Sequence, residues 1–144
     1  MSSSASDLYR LIVEIRRAFN ALASAGDDLH ADLGVTSAMR ALMEYLSEHG
    51  PATVPDIARA KNVSRQHIQQ MANALEEMAL LQFSPNPRHK RSPFAQLTEK
   101  GVETFTGIRA REAGVLTDLA KRLADEDLGQ AADTVARLRG ALKK

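Results

Sequence analysis

A mainly α-helical chain with one small β-hairpin is what this sequence predicts, and three observations carry the prediction. Ala, Leu, Glu, Arg and Gln are abundant, β-branched runs are scarce and aromatic residues make up only 4% of the chain, a composition that favours helix over strand. Apolar residues recur at three- and four-residue spacing through most of the length, the period of a helix with one buried face. The strand-like segments, LLQFS at 80–84 and FAQLT at 94–98, flank one proline-bounded stretch. With 144 residues, 44% apolar and 26% charged, the chain is long enough for a domain-sized core and reads as a soluble globular protein.

Met1 to Ala5 read as a loose tail. Leu8, Leu11, Ile12, Ile15, Phe19 and Leu22 then mark an amphipathic helix, with Ser6 placed to cap it and an end near Gly26. GDDLHADLG, with a glycine at each end, reads as a linker or short turn whose acidity is solvated. Next, Thr36 or Ser37 caps a second helix running to about His49, with Ala38, Leu42, Tyr45 and Leu46 facing inward, and HGPAT stops it.

The central stretch TVPDIARAKNVSRQHIQQMANALEEMALL holds two helices close together. Thr53 and Asp56 stand in a capping-box relation and open a short helix with Ile57 and Ala58 inward, broken at KNV. Ser64 caps a longer one whose buried stripe is Ile68, Met71, Ala72, Leu75, Met78 and Ala79. A short helix, a brief turn and a longer helix make a helix-turn-helix outline. The outer face of the longer helix presents Arg65, Gln66, His67, Gln69, Gln70 and Asn73, with no acid before Glu76. Gln and Asn match adenine in a major groove, Arg matches guanine, and the helix start at Ser64 suits a phosphate. A merely solvated face would usually carry glutamates, and this one carries amides and cations.

After that helix, PNPRHKRSP becomes the tip of a hairpin whose strands are LLQFS and FAQLT, so the outline acquires a wing. Arg88, His89, Lys90 and Arg91 occupy four consecutive positions there, suited to a phosphate backbone or a narrow minor groove. Between residues 59 and 91, six lysines and arginines face two glutamates, a local net charge of +4 on a chain of +1. Such separation is the electrostatic footprint of a nucleic-acid surface.

From Thr98 a long helix returns, with Val102, Phe105, Ile108, Val115, Leu116, Leu119 and Leu123 on its apolar side. ADEDLG caps a last helix with Leu128, Ala131, Val135, Leu138 and Leu142 inward and Arg137, Arg139, Lys143 and Lys144 near its C-terminus, as the helix dipole prefers. These stripes exceed what the small winged unit can cover, so a second copy is expected to cover them; an intramolecular bundle is the alternative. The chain then divides into a tail and dimerisation helix (1–34), a winged helix-turn-helix (35–98) and C-terminal dimerisation helices (99–144).

This order of elements resembles the multiple antibiotic resistance regulator (MarR) family along nearly the whole chain. QLTEKG at 96–101 is the most specific match; VSRQHIQQMANALEEMALLQ resembles the family's recognition helix with the strand that follows, and DEDL at 125–128 the acidic start of its last helix. The family's wing commonly carries Asp-x-Arg, and those places fall on His89 and Arg91, so the Arg is kept and the Asp is not. Either another group holds Arg91, or it sits looser and the wing adds mainly nonspecific affinity. The resemblance implies a homodimer on a palindromic double-stranded operator, usually a repressor, and a small-molecule effector, commonly an aromatic acid, that releases DNA. No effector-binding residue is assigned from the sequence.

The absence of cysteine removes disulfides, thiolate metal sites and the thiol-oxidation branch of the family. His30, His49, His67 and His89 are scattered singly and read as ordinary surface histidines, so neither a metal nor another cofactor is expected. No catalytic motif is present, and an enzyme is not expected. The start lacks a secretory signal and no apolar stretch reaches membrane-spanning length, so the expected location is cytoplasmic, with no membrane partner. One alternative function stands: a winged-helix module that joins proteins, with the basic tip on an acidic partner and no specific DNA binding.

Overall fold

The computed structural model describes residues 2–143, so Met1 and the expected C-terminal cation Lys144 lie outside the described residues. Its order is α1 (Ser3–Leu29), a 3-10 turn (Ala31–Leu33), α2 (Ser37–His49), β1 (Ala52–Thr53), α3 (Val54–Lys61), α4 (Arg65–Glu77), β2 (Leu81–Ser84), β3 (Phe94–Leu97), α5 (Glu99–Arg122) and α6 (Leu128–Ala141). The chain forms two compact units, 1–106 and 107–144, with α5 starting in the first. Helices with a small antiparallel sheet in the order β1-β3-β2 make this a winged helix-turn-helix. Among the described residues no helix is long and apolar enough to cross a membrane.

Local cap chemistry sets four helix starts where the sequence places them. Side-chain oxygens of Thr36, Thr53, Ser64 and Asp127 accept from the backbone N–H three residues on, at 3.0 to 3.3 Å. The start of α1 differs from expectation. Ser2, not Ser6, caps it, accepting from the Ala5 N–H at 3.1 Å, and Ser3 to Ala5 are helical instead of a loose tail. Its end differs too, because Gly26 does not stop the helix. A Cβ on Gly26 would sit 2.6 Å from the Ser37 hydroxyl, so the glycine permits a close approach of α1 to the start of α2. The Ser37 hydroxyl donates to the Ala23 carbonyl at 2.7 Å, and the Asp27 carboxylate accepts the Ser37 N–H at 2.7 Å. Thus part of the acidity expected to be solvent-facing caps α2.

The core of the first unit joins Met39, Leu42, Met43 and Leu46 of α2 to Ile57 and Ala58 of α3, Ile68, Ala72 and Leu75 of α4, and Leu81 and Ala95 of the sheet. Met39 and Met43 are buried where Ala38 and Tyr45, expected inward, are half-buried, a rotation of the inward stripe by about one residue. His30, expected on the surface, is 1% exposed, at the cap position of the 3-10 turn. Burying each large side chain here is worth about 1.5–3 kcal/mol.

Short β1, which reads in the sequence as the stop of one helix and the cap of the next, pairs Ala52 with Ala95 and Thr53 with Phe94. Strands β2 and β3 pair from Leu81–Leu97 to Ser84–Phe94, leaving residues 85–93 as the tip. The end of α4 is held by the segment that opens α5. Ala79, expected in the buried stripe, is exposed with φ 61°, in the left-handed region where glycine is usual. The Leu80 N–H donates to the Leu75 carbonyl at 3.0 Å and the Ala79 N–H to the Glu76 carbonyl at 2.9 Å, closing the helix end. Thr98 donates through its hydroxyl to the Ala79 carbonyl (2.7 Å) and through its N–H to the Leu80 carbonyl (3.1 Å), while the Lys100 ammonium donates to the Met78 carbonyl (3.1 Å). That is the physical content of Thr98-Glu99-Lys100-Gly101: two residues that satisfy carbonyls beyond the reading helix and a glycine that lets the backbones meet.

Apolar stripes at the two ends of the sequence are left open. In the first unit, α1 has no buried residue, and Phe19 is 71% and Leu22 69% exposed. In the second, Val115, Leu116, Leu119, Leu123, Leu128, Val135 and Leu142 are all exposed. These positions, expected to be covered by a second copy, are open in the single chain.

Candidate nucleic-acid interface

The turn of the helix-turn-helix sits at Asn62, whose φ of 56° and ψ of 47° place it in the left-handed region that Asn tolerates better than most residues. Its N–H closes α3 on the Arg59 carbonyl at 3.3 Å, and Ser64 then caps α4 through the His67 N–H at 3.0 Å. Because Ile68, Ala72 and Leu75 anchor one side of α4 in the core, the helical period turns Arg65, Gln66, Gln69, Gln70 and Asn73 outward. All five are exposed, Ser64 is exposed at the cap, and His67 is half-buried. Gln69 and Asn73 do not stand independently: the Gln69 side-chain amide donates to the Asn73 carbonyl oxygen at 2.9 Å.

The tip of the wing is ordered by a residue the sequence reading passed over. Asn86 donates from its side-chain amide to the Ser92 carbonyl (3.1 Å) and accepts the Arg88 N–H on its side-chain oxygen (3.1 Å), tying both legs of the loop. Backbone bonds from His89 to the Asn86 carbonyl and from Ser92 to the His89 carbonyl complete the turn. The available signal was the Asn86-Pro87 dipeptide, a turn former whose Asn bonds its own backbone two residues on. The prolines are therefore not the only source of stiffness.

Arg88, His89, Lys90 and Arg91 are all exposed. Among the described residues, Arg65, Arg88, Lys90 and Arg91 have no carboxylate within ion-pair distance, whereas Arg59 is 3.0 Å from Asp56. Arg59 thus adds less to the basic surface than a count along the chain suggests. Wing and reading helix meet in an open cleft of about 290 Å3 lined by Val54, Gln69, Phe83, Arg91, Ser92 and Pro93. Arg91 and Gln69 therefore border one space, although they stand far apart in sequence. Amides, guanidinium groups and free backbone N–H groups at the start of α4 offer donors for phosphates and paired donors and acceptors for base edges. Among the described residues no group of three or more His, Asp or Glu is placed to hold a metal ion.

Comparison with known proteins agrees with this architecture. A model described as MarR family matches residues 33–92. The uncharacterised protein Rv2011c of Mycobacterium tuberculosis strain H37Rv is 31% identical over 137 residues, 95% of each chain. The HTH-type transcriptional repressor MdtR of Bacillus subtilis is 29% identical over 105 residues, 73% of this chain and 68% of that one. Among solved structures, the MarR family transcription regulator SP03579 has a TM-score of 0.79 at 26% identity, covering 96% of this chain and 94% of the other. Reduced AbfR bound to DNA shares the fold, with a TM-score of 0.70 at 17% identity over 94% of this chain and 99% of that one.

Proposed function

Since this chain belongs to the MarR family of DNA-binding transcription regulators, and not to an enzyme family, we propose that it acts as a cytoplasmic homodimeric repressor on a palindromic double-stranded operator. The observation that carries the reading is an outer face of α4 with no acid before Glu76, beside a wing whose Arg91 shares a cleft with Gln69 and whose Arg88, Lys90 and Arg91 are exposed. In it, Arg65, Gln66, His67, Gln69, Gln70 and Asn73 enter the major groove, and Ser64 with the first N–H groups of α4 meets a phosphate. Arg88, His89, Lys90 and Arg91 lie along the backbone or in the adjacent minor groove, where negative potential is highest when the groove is narrow. Residues 35–98 form the reading head in this scheme, and residues 1–34 and 99–144 the dimerisation region.

Dimerisation is supported by the exposed apolar stripes of α1, and of α5 and α6. A stripe of large apolar side chains left open along a helix marks an interaction surface. Two-fold symmetry would set two α4 helices about one turn of DNA apart, about 34 Å. Release by a small aromatic acid belongs to the same scheme, and such a ligand acts only if its affinity differs between DNA-compatible and incompatible spacings of the two heads.

The test is selection of bound duplexes from a random pool at physiological salt, with the mass of the protein in solution measured alongside. An inverted repeat with half-sites about one turn apart, bound by a dimer, is expected. A monomer, or a pool that emerges unenriched while a protein partner is captured through the basic tip, overturns the reading in favour of a protein-joining module. Addition of benzoate to the selected complex then tests release.

A further inference from the structure

The hydrogen bond between Gln69 and Asn73 has a consequence for which base the reading helix accepts. Both residues are exposed, one helical turn apart, and joined at 2.9 Å. Once Gln69 donates one of its amide protons to Asn73, it keeps its Oε1 acceptor and one N–H, while Asn73 keeps both Nδ2 protons and one lone pair on Oδ1. With Nε2 turned toward Asn73, Gln69 presents Oε1 on the side away from Asn73, and the remaining donors of the pair, one Gln69 N–H and the two Asn73 Nδ2 protons, lie on the other side; turning the Gln69 N–H into the place of Oε1 would break the bond to Asn73. The bond restrains the pair's torsions, so less side-chain freedom is lost on docking than for two separate long polar chains. Gln69 also borders the cleft shared with Arg91, which places the Gln69 end of the pair on the wing side of the reading face.

We propose that Gln69 and Asn73 act as one bridged unit that reads a single adenine, an inference that rests on the DNA-reading function above. Adenine shows a donor, N6–H, and an acceptor, N7, on its major-groove edge, so it satisfies both ends. Guanine shows two acceptors and sets O6 against the Gln69 acceptor. Thymine offers O4 and a methyl group, and cytosine only a donor. Each of the other three bases therefore leaves one end of the pair facing a group it cannot bond, after water has been expelled.

The selected operator supplies the test. Wild-type protein, Gln69→Ala, Asn73→Ala and the double variant are titrated against operators in which the adenine is kept, replaced by 7-deazaadenine, which lacks N7, or replaced by unsubstituted purine, which lacks the N6 amino group. Wild type is expected to lose about tenfold in affinity on each analogue. Each single variant should bind all three duplexes alike and lose discrimination at the same base pair, because releasing either amide frees the other. The double variant should bind no worse than the weaker single.

Losses at two different base pairs, or single losses that multiply in the double variant, overturn the proposal. So does an unchanged base preference with only thermal stability lowered, which would make the bond a brace of the helix. Alanine suits an exposed helical position, so all three variants should fold, and circular dichroism at equal concentration verifies this. If wild-type protein enriches no duplex, the DNA-reading function itself falls before any variant is made.

Discussion

Replacing Gly101 with alanine sets two opposed effects against each other inside one helix. In an unobstructed helix interior the change stabilises by roughly 0.5–1 kcal/mol, since alanine loses less backbone freedom on folding. At this position an added Cβ would lie 2.0 Å from the Leu80 carbonyl oxygen, 3.0 Å from its carbon and 3.3 Å from its Cα. Those atoms are backbone, and they are held: the Leu80 oxygen accepts the Thr98 N–H at 3.1 Å, and the Leu80 N–H donates to Leu75 at 3.0 Å. Relief needs a shift of about 1 Å that separates α5 from the end of α4. Overpacking of this kind costs typically 1–3 kcal/mol or somewhat more, and the strained Thr98 bond adds about 1 kcal/mol. The clash wins, for a net destabilisation of about 3 kcal/mol, equivalent to roughly 10 °C in Tm for a chain of this size. Gly107 of the same helix is the control, because a Cβ there meets nothing within 4 Å. Gly107→Ala should raise Tm by about 2 °C. Thermal unfolding of both variants and wild type at one protein concentration measures the contrast. A Gly101→Ala protein as stable as wild type would refute the reasoning, and with it the account of Thr98-Glu99-Lys100-Gly101 as the clasp on the reading helix.

The remaining predictions concern recognition and assembly. Arg65→Ala should relax base preference at one position of the selected site, a loss of about 1–3 kcal/mol in discrimination, while Lys90→Ala weakens all duplexes alike and reduces the slope of log K against log salt by about one; the two titrations across salt distinguish them. Asn86→Ala removes both side-chain bonds that tie the wing loop, so amide hydrogen exchange at Arg88 should accelerate and operator affinity fall severalfold, with global stability changed by no more than about 0.5 kcal/mol because the loop is exposed. Phe19→Asp places a charge on the open stripe of α1, where Phe19 is 71% exposed in the single chain. Light scattering after size exclusion should then report a monomer, with operator binding lost and the helical content of the head retained; an unchanged dimer contradicts the assembly proposed.

The amino-acid sequence by itself determined where most helices begin, which face of α4 is polar and where the basic tip falls. Caps act over three residues and helical stripes over three or four, so Thr53 and Ser64 declare themselves from their own neighbourhoods, Thr36 does so to within one residue, and Asp127 falls within the capping segment ADEDLG. The tertiary structure alone decided features that join residues far apart. Gly26 reads as a helix stop because nothing local shows Ser37 against it, and Asp27 reads as solvated because its N–H partner lies ten residues on. A two-residue strand such as β1 has no period to detect and exists only through its pairing with β3. The grip of Thr98 and Lys100 on the carbonyls after α4, and the cleft that brings Arg91 beside Gln69, likewise depend on chain folded back across about twenty residues. Short-range chemistry writes itself into sequence patterns; a close approach between backbones is written only in space, where a missing Cβ becomes room for another chain segment.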